Sequence, residues 1–105
     1  MDISQGLNHI KQKNFVTALN FFLESEKNHK EDLNLFFYLG IIFYELGNFK
    51  KSIYYYEKIL EKNPTSINAL YNLAIVKQSI GKIESAKKIY IDLKKIDKNK
   101  IKPYY

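Results

Sequence analysis

The sequence predicts an all-α protein, a stack of three helix pairs. Three observations predict it. A shift of 34 residues lays the chain over itself twice. In the middle copy Phe36, Leu39, Gly40 and Phe43 recur at i, i+3, i+4 and i+7, the period of one helix face. Gly47, Gly81 and Pro64 fall between those runs, where helices stop.

The shift aligns Gly6 with Gly40 and Ala74. It also aligns Phe15 with Phe49 and Ile83, Ala18 with Ser52 and Ala86, and Phe22 with Tyr56 and Tyr90. The columns read small, large apolar, small and aromatic. Small residues let two helices approach closely, and aromatics fill the space beside them.

Taken in order, the helices are expected at about 3–12, 15–28, 32–46, 49–62, 66–80 and 83–97. The first carries the apolar stripe Ile3, Leu7, Ile10, with Asp2 as its expected N-cap. The second carries Phe15, Ala18 and Phe22. On the third, Phe36, Leu39, Gly40 and Phe43 share one face, and Gly47-Asn48 then breaks the run. The fourth repeats the pattern with Ser52, Tyr56 and Ile59. It ends before Pro64, since the residue preceding a proline avoids helical angles. Thr65 or Ser66 can cap the fifth. On the sixth, Lys87 and Lys94 stand where Leu19, Ile53 and Leu60 stand earlier. That substitution makes the last helix a polar cap. The N-terminal end shows no such cap, so its apolar stripe is expected to lie open.

Composition bounds the rest. At 105 residues the chain makes one small domain, and 46% hydrophobic content is too high for a disordered segment. With no cysteine, disulfides and thiolate metal sites are excluded. No leader pattern or membrane span is legible, and a soluble, cytoplasmic protein is expected. The +6 net charge comes wholly from lysines after Ser66.

A 34-residue helix-turn-helix period with these residues resembles the tetratricopeptide repeat. The middle copy carries the pattern on Phe36, Leu39-Gly40, Phe43, Gly47, Phe49, Ser52, Tyr56, Ile59 and Pro64. The third matches at Leu70, Leu73-Ala74, Gly81, Ile83, Ala86, Tyr90 and Leu93, but departs at Lys77 and Lys98. The first keeps Phe15, Ala18 and Phe22, yet has Gln5, His9 and Lys13 at sites that are usually apolar or Gly. The resemblance implies a right-handed α-solenoid over residues 1–100, with repeats at about 1–32, 33–66 and 67–100 and a short tail at 101–105.

The resemblance also implies a concave groove lined by the first helix of each pair. Its expected contact residues are Phe37, Tyr38, Ile41 and Tyr44 from the second copy and Asn68, Tyr71, Asn72 and Ile75 from the third. Phe37, Ile41 and Tyr44 are expected to be free of the repeat's internal packing. The implied function is a non-enzymatic scaffold module that binds a protein, holding a peptide or helix in the groove. Some family members clamp a chaperone's C-terminal carboxylate with cations. The matching sites here, Ile3, Leu7, Tyr38, Asn68 and Asn72, carry none, which argues against that ligand.

Two other readings compete. Self-association through Ile3, Leu7 and Ile10 would make the chain an assembly protein. The basic surface Lys87, Lys88, Lys94 and Lys95 could meet nucleic acid or another acidic surface, with Lys82, Lys98, Lys100 and Lys102 nearby. The absence of Arg and of any nucleic-acid-binding motif favours a solvated face instead. No catalytic residue, metal site, cofactor or small-molecule substrate is legible. His9 and His29 lack the partners for such roles and are expected at the surface.

Overall fold

A computed structural model describes residues 3–100, with side chains through Ile96. The helices are α1 (Ser4–Lys11), α2 (Phe15–Glu26), α3 (Leu33–Glu45), α4 (Phe49–Lys62), α5 (Ile67–Ser79) and α6 (Ile83–Lys100). No strand occurs among the described residues. Each helix packs on the next in sequence, and α3 also touches α5. That is the nearest-neighbour pattern of a stack, with the first helices of the pairs on the inner side.

The local reasons for the helices are visible at their ends. The Asp32 carboxylate accepts from the backbone N–H groups of Asn34 and Leu35, at 3.0 and 3.3 Å. Asn48 accepts from Lys51 N–H at 3.2 Å, and Ser66 from Ala69 N–H at 3.3 Å. Each cap satisfies amides that the first helical turn leaves without partners. Asn14 occupies the place of Asn48, but its amide turns to Gln12 and makes no cap bond. The expected cap Asp2 lies outside the described residues, and α1 begins after Ile3 without a side-chain cap.

The turns within the three pairs are copies of one another. Asn14 N–H donates to His9 O, Asn48 to Phe43 O and Lys82 to Lys77 O, each at 2.8 Å. This six-residue closure needs a left-handed residue just after the helix. Gly47 and Gly81 supply it at φ +83, and Lys13 takes the same place at φ 62. A side chain there is strained by its own Cβ.

The pairs are held by a ring seated in a notch. A Cβ placed on Gly40 would lie 2.5 Å from the Tyr56 ring, and one on Gly6 the same distance from Phe22. Only glycine lets the facing aromatic come so near. The close approach also brings the Gly40 carbonyl to α4, where buried Ser52 Oγ–H donates to it at 2.7 Å. Hence serine stands in the small-residue column between Ala18 and Ala86. The third copy has Ala74 in the notch, and its ring, Tyr90, is only half-buried.

The core also contains residues that the repeat columns did not single out. Leu35, Ile42 and Val76 are buried, and Tyr55 stacks on Phe43 at 5.7 Å between ring centroids.

The two ends correct one expectation and support another. Lys87 and Lys94 are exposed, as a polar terminal face requires. The N-terminal end, however, is not open apolar surface. Ile3 and Ile10 pack against the core, and Leu7 is half-buried. The end face is lined by Gln5, His9, Thr17, Asn20, Glu24 and Asn28 around a half-buried Phe21. Gln5 and His9 there replace the Leu39 and Phe43 of the next copy, so this end is polar as well. His9 and His29 line this face and are half-buried, and His29 Nδ1 lies 3.0 Å from Ser25 O. Among the described residues no group of three or more His, Cys, Asp or Glu could hold a metal.

Two stability changes follow, both measurable by urea unfolding. Lys13→Gly should stabilise the protein by about 1 kcal/mol, by relieving the left-handed strain. Gly40→Ala should cost about 1–3 kcal/mol, because the Tyr56 ring must leave its notch.

Candidate functional site

α3 and α5 place their side chains in one row on the inner side of the stack. Between them lies a cleft of about 170 Å³. It brings together Ile41 and Tyr44 from α3 with Asn72 and Ile75 from α5. Glu45 stands at its edge, and Tyr56 and Val76 complete its lining. Four of the eight expected groove residues thus share one cavity. Phe37, Tyr38, Asn68 and Tyr71 do not line it.

The other four divide by burial. Tyr71 is 52% exposed and Asn68 is also exposed, so both are available to a ligand. Phe37 and Tyr38 are half-buried and engaged with neighbours. Phe37 lies against Tyr56 at 6.2 Å and Tyr38 against Phe22 at 5.4 Å between ring centroids. Tyr44 is likewise engaged, with its ring 5.5 Å from Phe49. The expectation that Phe37 and Tyr44 stand clear of internal packing is therefore corrected. Both are packed against the core. The reason is curvature: inner helices crowd together, so a residue beside the core stripe still meets the neighbouring helix.

Polar groups set the cleft's shape. Ser79 Oγ–H donates to Ile75 O at 2.9 Å. Its lone pair is then open to the Tyr44 hydroxyl, 2.9 Å away. This bond ties α3 to α5 across the groove. Deeper in, Asn72 Nδ2 donates to Tyr56 Oη at 3.4 Å. The sequence pattern assigned Tyr56 only to the core, so its part in the groove was missed. The available signal was its hydroxyl, since a buried tyrosine needs a polar partner where phenylalanine does not. In the third pair, Tyr90 Oη donates to Gln78 Oε1 at 3.3 Å, and its ring lies 6.3 Å from that of Tyr71.

Burial pushes the Tyr56 phenol up to about 12, against the lowering effect of its bonds with Asn72 and Ser52. Burial also raises Tyr55, and the Glu26 carboxylate beside its hydroxyl adds to the rise. The Tyr56 hydroxyl therefore stays protonated on the cleft floor, with the Glu45 carboxylate among the lining residues.

The basic face is separate from this cleft. Lys87, Lys88, Lys94 and Lys95 are all exposed on α6, with Lys87 paired to Glu84 at 3.6 Å. The side chains of Lys98, Lys100 and Lys102 lie outside the described residues. No helix among the described residues is long and apolar enough to cross a membrane.

A curved stack of helix pairs with a cleft between its inner helices defines the class: a helical-repeat scaffold. Comparison with known proteins narrows that class. A tetratricopeptide repeat model matches residues 34–66, and a second model of the same description matches 55–88. A TPR repeat-containing protein of Methanocaldococcus jannaschii is 40% identical over 57 residues, which are 54% of this chain. The chain belongs to the tetratricopeptide repeat family. That relative is much longer, and the match covers 10% of it.

Solved structures share the right-handed α-solenoid. MamA residues 41 to the end from Desulfovibrio magneticus superposes with a TM-score of 0.87 at 15% identity, covering 92% of this chain and 55% of that one. The first TPR domain of Spaghetti, solved with an HSP90 peptide, gives a TM-score of 0.82 at 16% identity. It covers 92% of this chain and 77% of its own. The TPR2B domain of yeast Sti1, in complex with an Hsp70 peptide, gives a TM-score of 0.82 at 19% identity, covering 90% and 76%.

The raised phenols carry a pH dependence. In the unfolded chain tyrosine loses its proton near pH 10, before the folded Tyr56 does at about 12. Their contribution to stability is therefore complete below pH 10 and is lost as pH climbs towards 12. Thermal melts should show a steeper fall across that window for the native sequence than for the double variant Tyr55→Phe, Tyr56→Phe.

Proposed function

We propose that this chain is a non-enzymatic, cytoplasmic interaction module that holds a peptide or helix of a partner protein in its concave groove. The observation that carries the reading is the cleft between α3 and α5. Its apolar walls, Ile41 and Ile75, stand beside an amide, Asn72, and a hydroxyl pair, Tyr44 and Ser79. Apolar walls supply affinity, and a few placed polar groups set register. Exposed Tyr71 and Asn68 extend the surface beyond the cleft. Two structural neighbours with peptides bound support the same use of the scaffold. Their chaperone ligands are not carried over. Ile3, exposed Asn68 and half-buried Asn72 stand at sites where a carboxylate clamp needs cations.

The residues we assign to the contact are Phe37, Tyr38, Ile41, Tyr44, Asn68, Tyr71, Asn72 and Ile75, in repeats bounded at about residues 33–66 and 67–100. Tyr71 is the cleanest probe, since its exposed ring leans only on Tyr90 among the described aromatic contacts. Tyr71→Ala should leave the helical circular dichroism unchanged and weaken capture of the native partner by about 2 kcal/mol, the range of an aromatic anchor. Capture at full strength with Tyr71→Ala and with Asn72→Ala would overturn the groove assignment.

A homo-oligomer is the alternative. Ile3 and Ile10 already pack on their own core, so self-association would need another surface. Light scattering over a range of concentrations separates the two readings. Contact of α6 with nucleic acid is the remaining alternative, and it predicts binding that weakens steeply with salt.

A further inference from the structure

The two turns that close the second and third pairs lie side by side on one edge of the stack. Leu46 and Ile80 are 34 residues apart and occupy the same place, the C-cap of α3 and of α5. Here both are large and aliphatic, and they remain 40% and 36% exposed. The first turn has exposed Gln12 at that place, so the feature belongs to these two turns alone. Between them is an open depression of about 610 Å³, walled by Leu46, Phe49, Ile53 and Ile80. It shares no residue with the cleft between α3 and α5.

The charge around it has one sign. Lys50 and Lys82 line the depression and no carboxylate does. Glu84, close by in sequence, is turned to Lys87. Neither Lys50 nor Lys82 forms an ion pair among the described residues. Scattered exposed aliphatics mean little, but apolar side chains gathered in a concavity with a polar rim mark a contact surface. A bilayer presents a broad flat face, which suits protruding apolar tips. A concavity suits a side chain entering it.

The geometry points to a second docking surface on this edge, for a partner segment bearing a large apolar side chain flanked by Asp or Glu. The apolar side chain fills the space between Leu46 and Ile80. The flanking carboxylates meet Lys50 and Lys82 at the rim, where complementary charge selects the partner and speeds its encounter. The site shares no lining residue with the concave groove, so one chain could hold two segments at once, with the gain that linked binding gives.

The test uses the full chain and two fluorescein-labelled peptides. One is Glu-Asp-Phe-Leu-Asp-Glu, and the other replaces its four acids with lysine. Anisotropy should show the acidic peptide binding about tenfold more tightly than the lysine peptide. The double variant Leu46→Ser, Ile80→Ser should lose that binding, and Lys50→Glu with Lys82→Glu should reverse the preference between the peptides. Tyr71→Ala should leave it within about twofold, since distant sites act independently. The exposed charge variant keeps the test valid if the serine variant unfolds. Equal binding of the two peptides would overturn the proposal. So would binding lost with Tyr71→Ala, or sedimentation with phosphatidylserine vesicles that depends on Leu46 and Ile80 without peptide binding. Failure of the groove assignment would leave these outcomes unchanged.

Discussion

A ring closing over a glycine is the contact on which the rest of this stack depends. Tyr56 over Gly40 and Phe22 over Gly6 set how near the two helices of a pair can come. Everything at shorter range follows from that spacing. The Gly40 carbonyl is brought to α4 and must be satisfied there, so Ser52 is required where alanine serves in the other pairs. The tyrosine hydroxyl passes beyond the notch and emerges on the inner side, where Asn72 meets it. One packing contact therefore reaches from the core of a pair to the floor of the groove.

The same contact explains the gradient along the chain. The middle pair has the full set: notch, ring, buried serine, glycine turn and caps at both of its helices. The first pair has the notch, but takes its turn with Lys13 in a left-handed conformation and leaves Asn14 without a capping bond. The third has alanine in the notch and a half-buried ring. In a stack held by neighbour contacts, such a middle unit supports the ends. Both ends carry polar side chains at sites that are apolar elsewhere in the repeat, by different means. Lys87 and Lys94 cover the last helix, and Gln5 and His9 replace apolar residues on the first.

Periodicity carried the fold because it is itself a physical record. A residue that recurs every 34 positions does so because every pair must solve the same packing problem. The columns of Gly6, Ala18 and Phe22 thus named the notch, the small contact and the ring from letters alone. Columns that vary in size between copies were harder to read. Leu35 and Ala69 fill one such place, Tyr55 and Ile89 another. Tyr55 stacks on Phe43 within its own pair and also reaches Glu26 of the pair before it, so its place answers to more than one neighbour. Equally hard to read was the N-terminal face, where Gln5 and His9 looked like lapses from the pattern and are its polar ending.

By itself, the sequence determined the helix order, the turn positions, the glycine notches and the helices that face inward. Those properties are local or strictly repeated, so they survive without coordinates. Only the tertiary structure decided which inward residues are free. Tyr71 and Phe37 are equally aromatic and stand 34 residues apart at the same place in the pattern, yet one is open and the other is wedged against Tyr56. Only the structure, too, set Leu46 beside Ile80 with Lys50 and Lys82 around them. Residues 34 apart become neighbours through the angle at which one pair leans on the next, and no single residue encodes that angle.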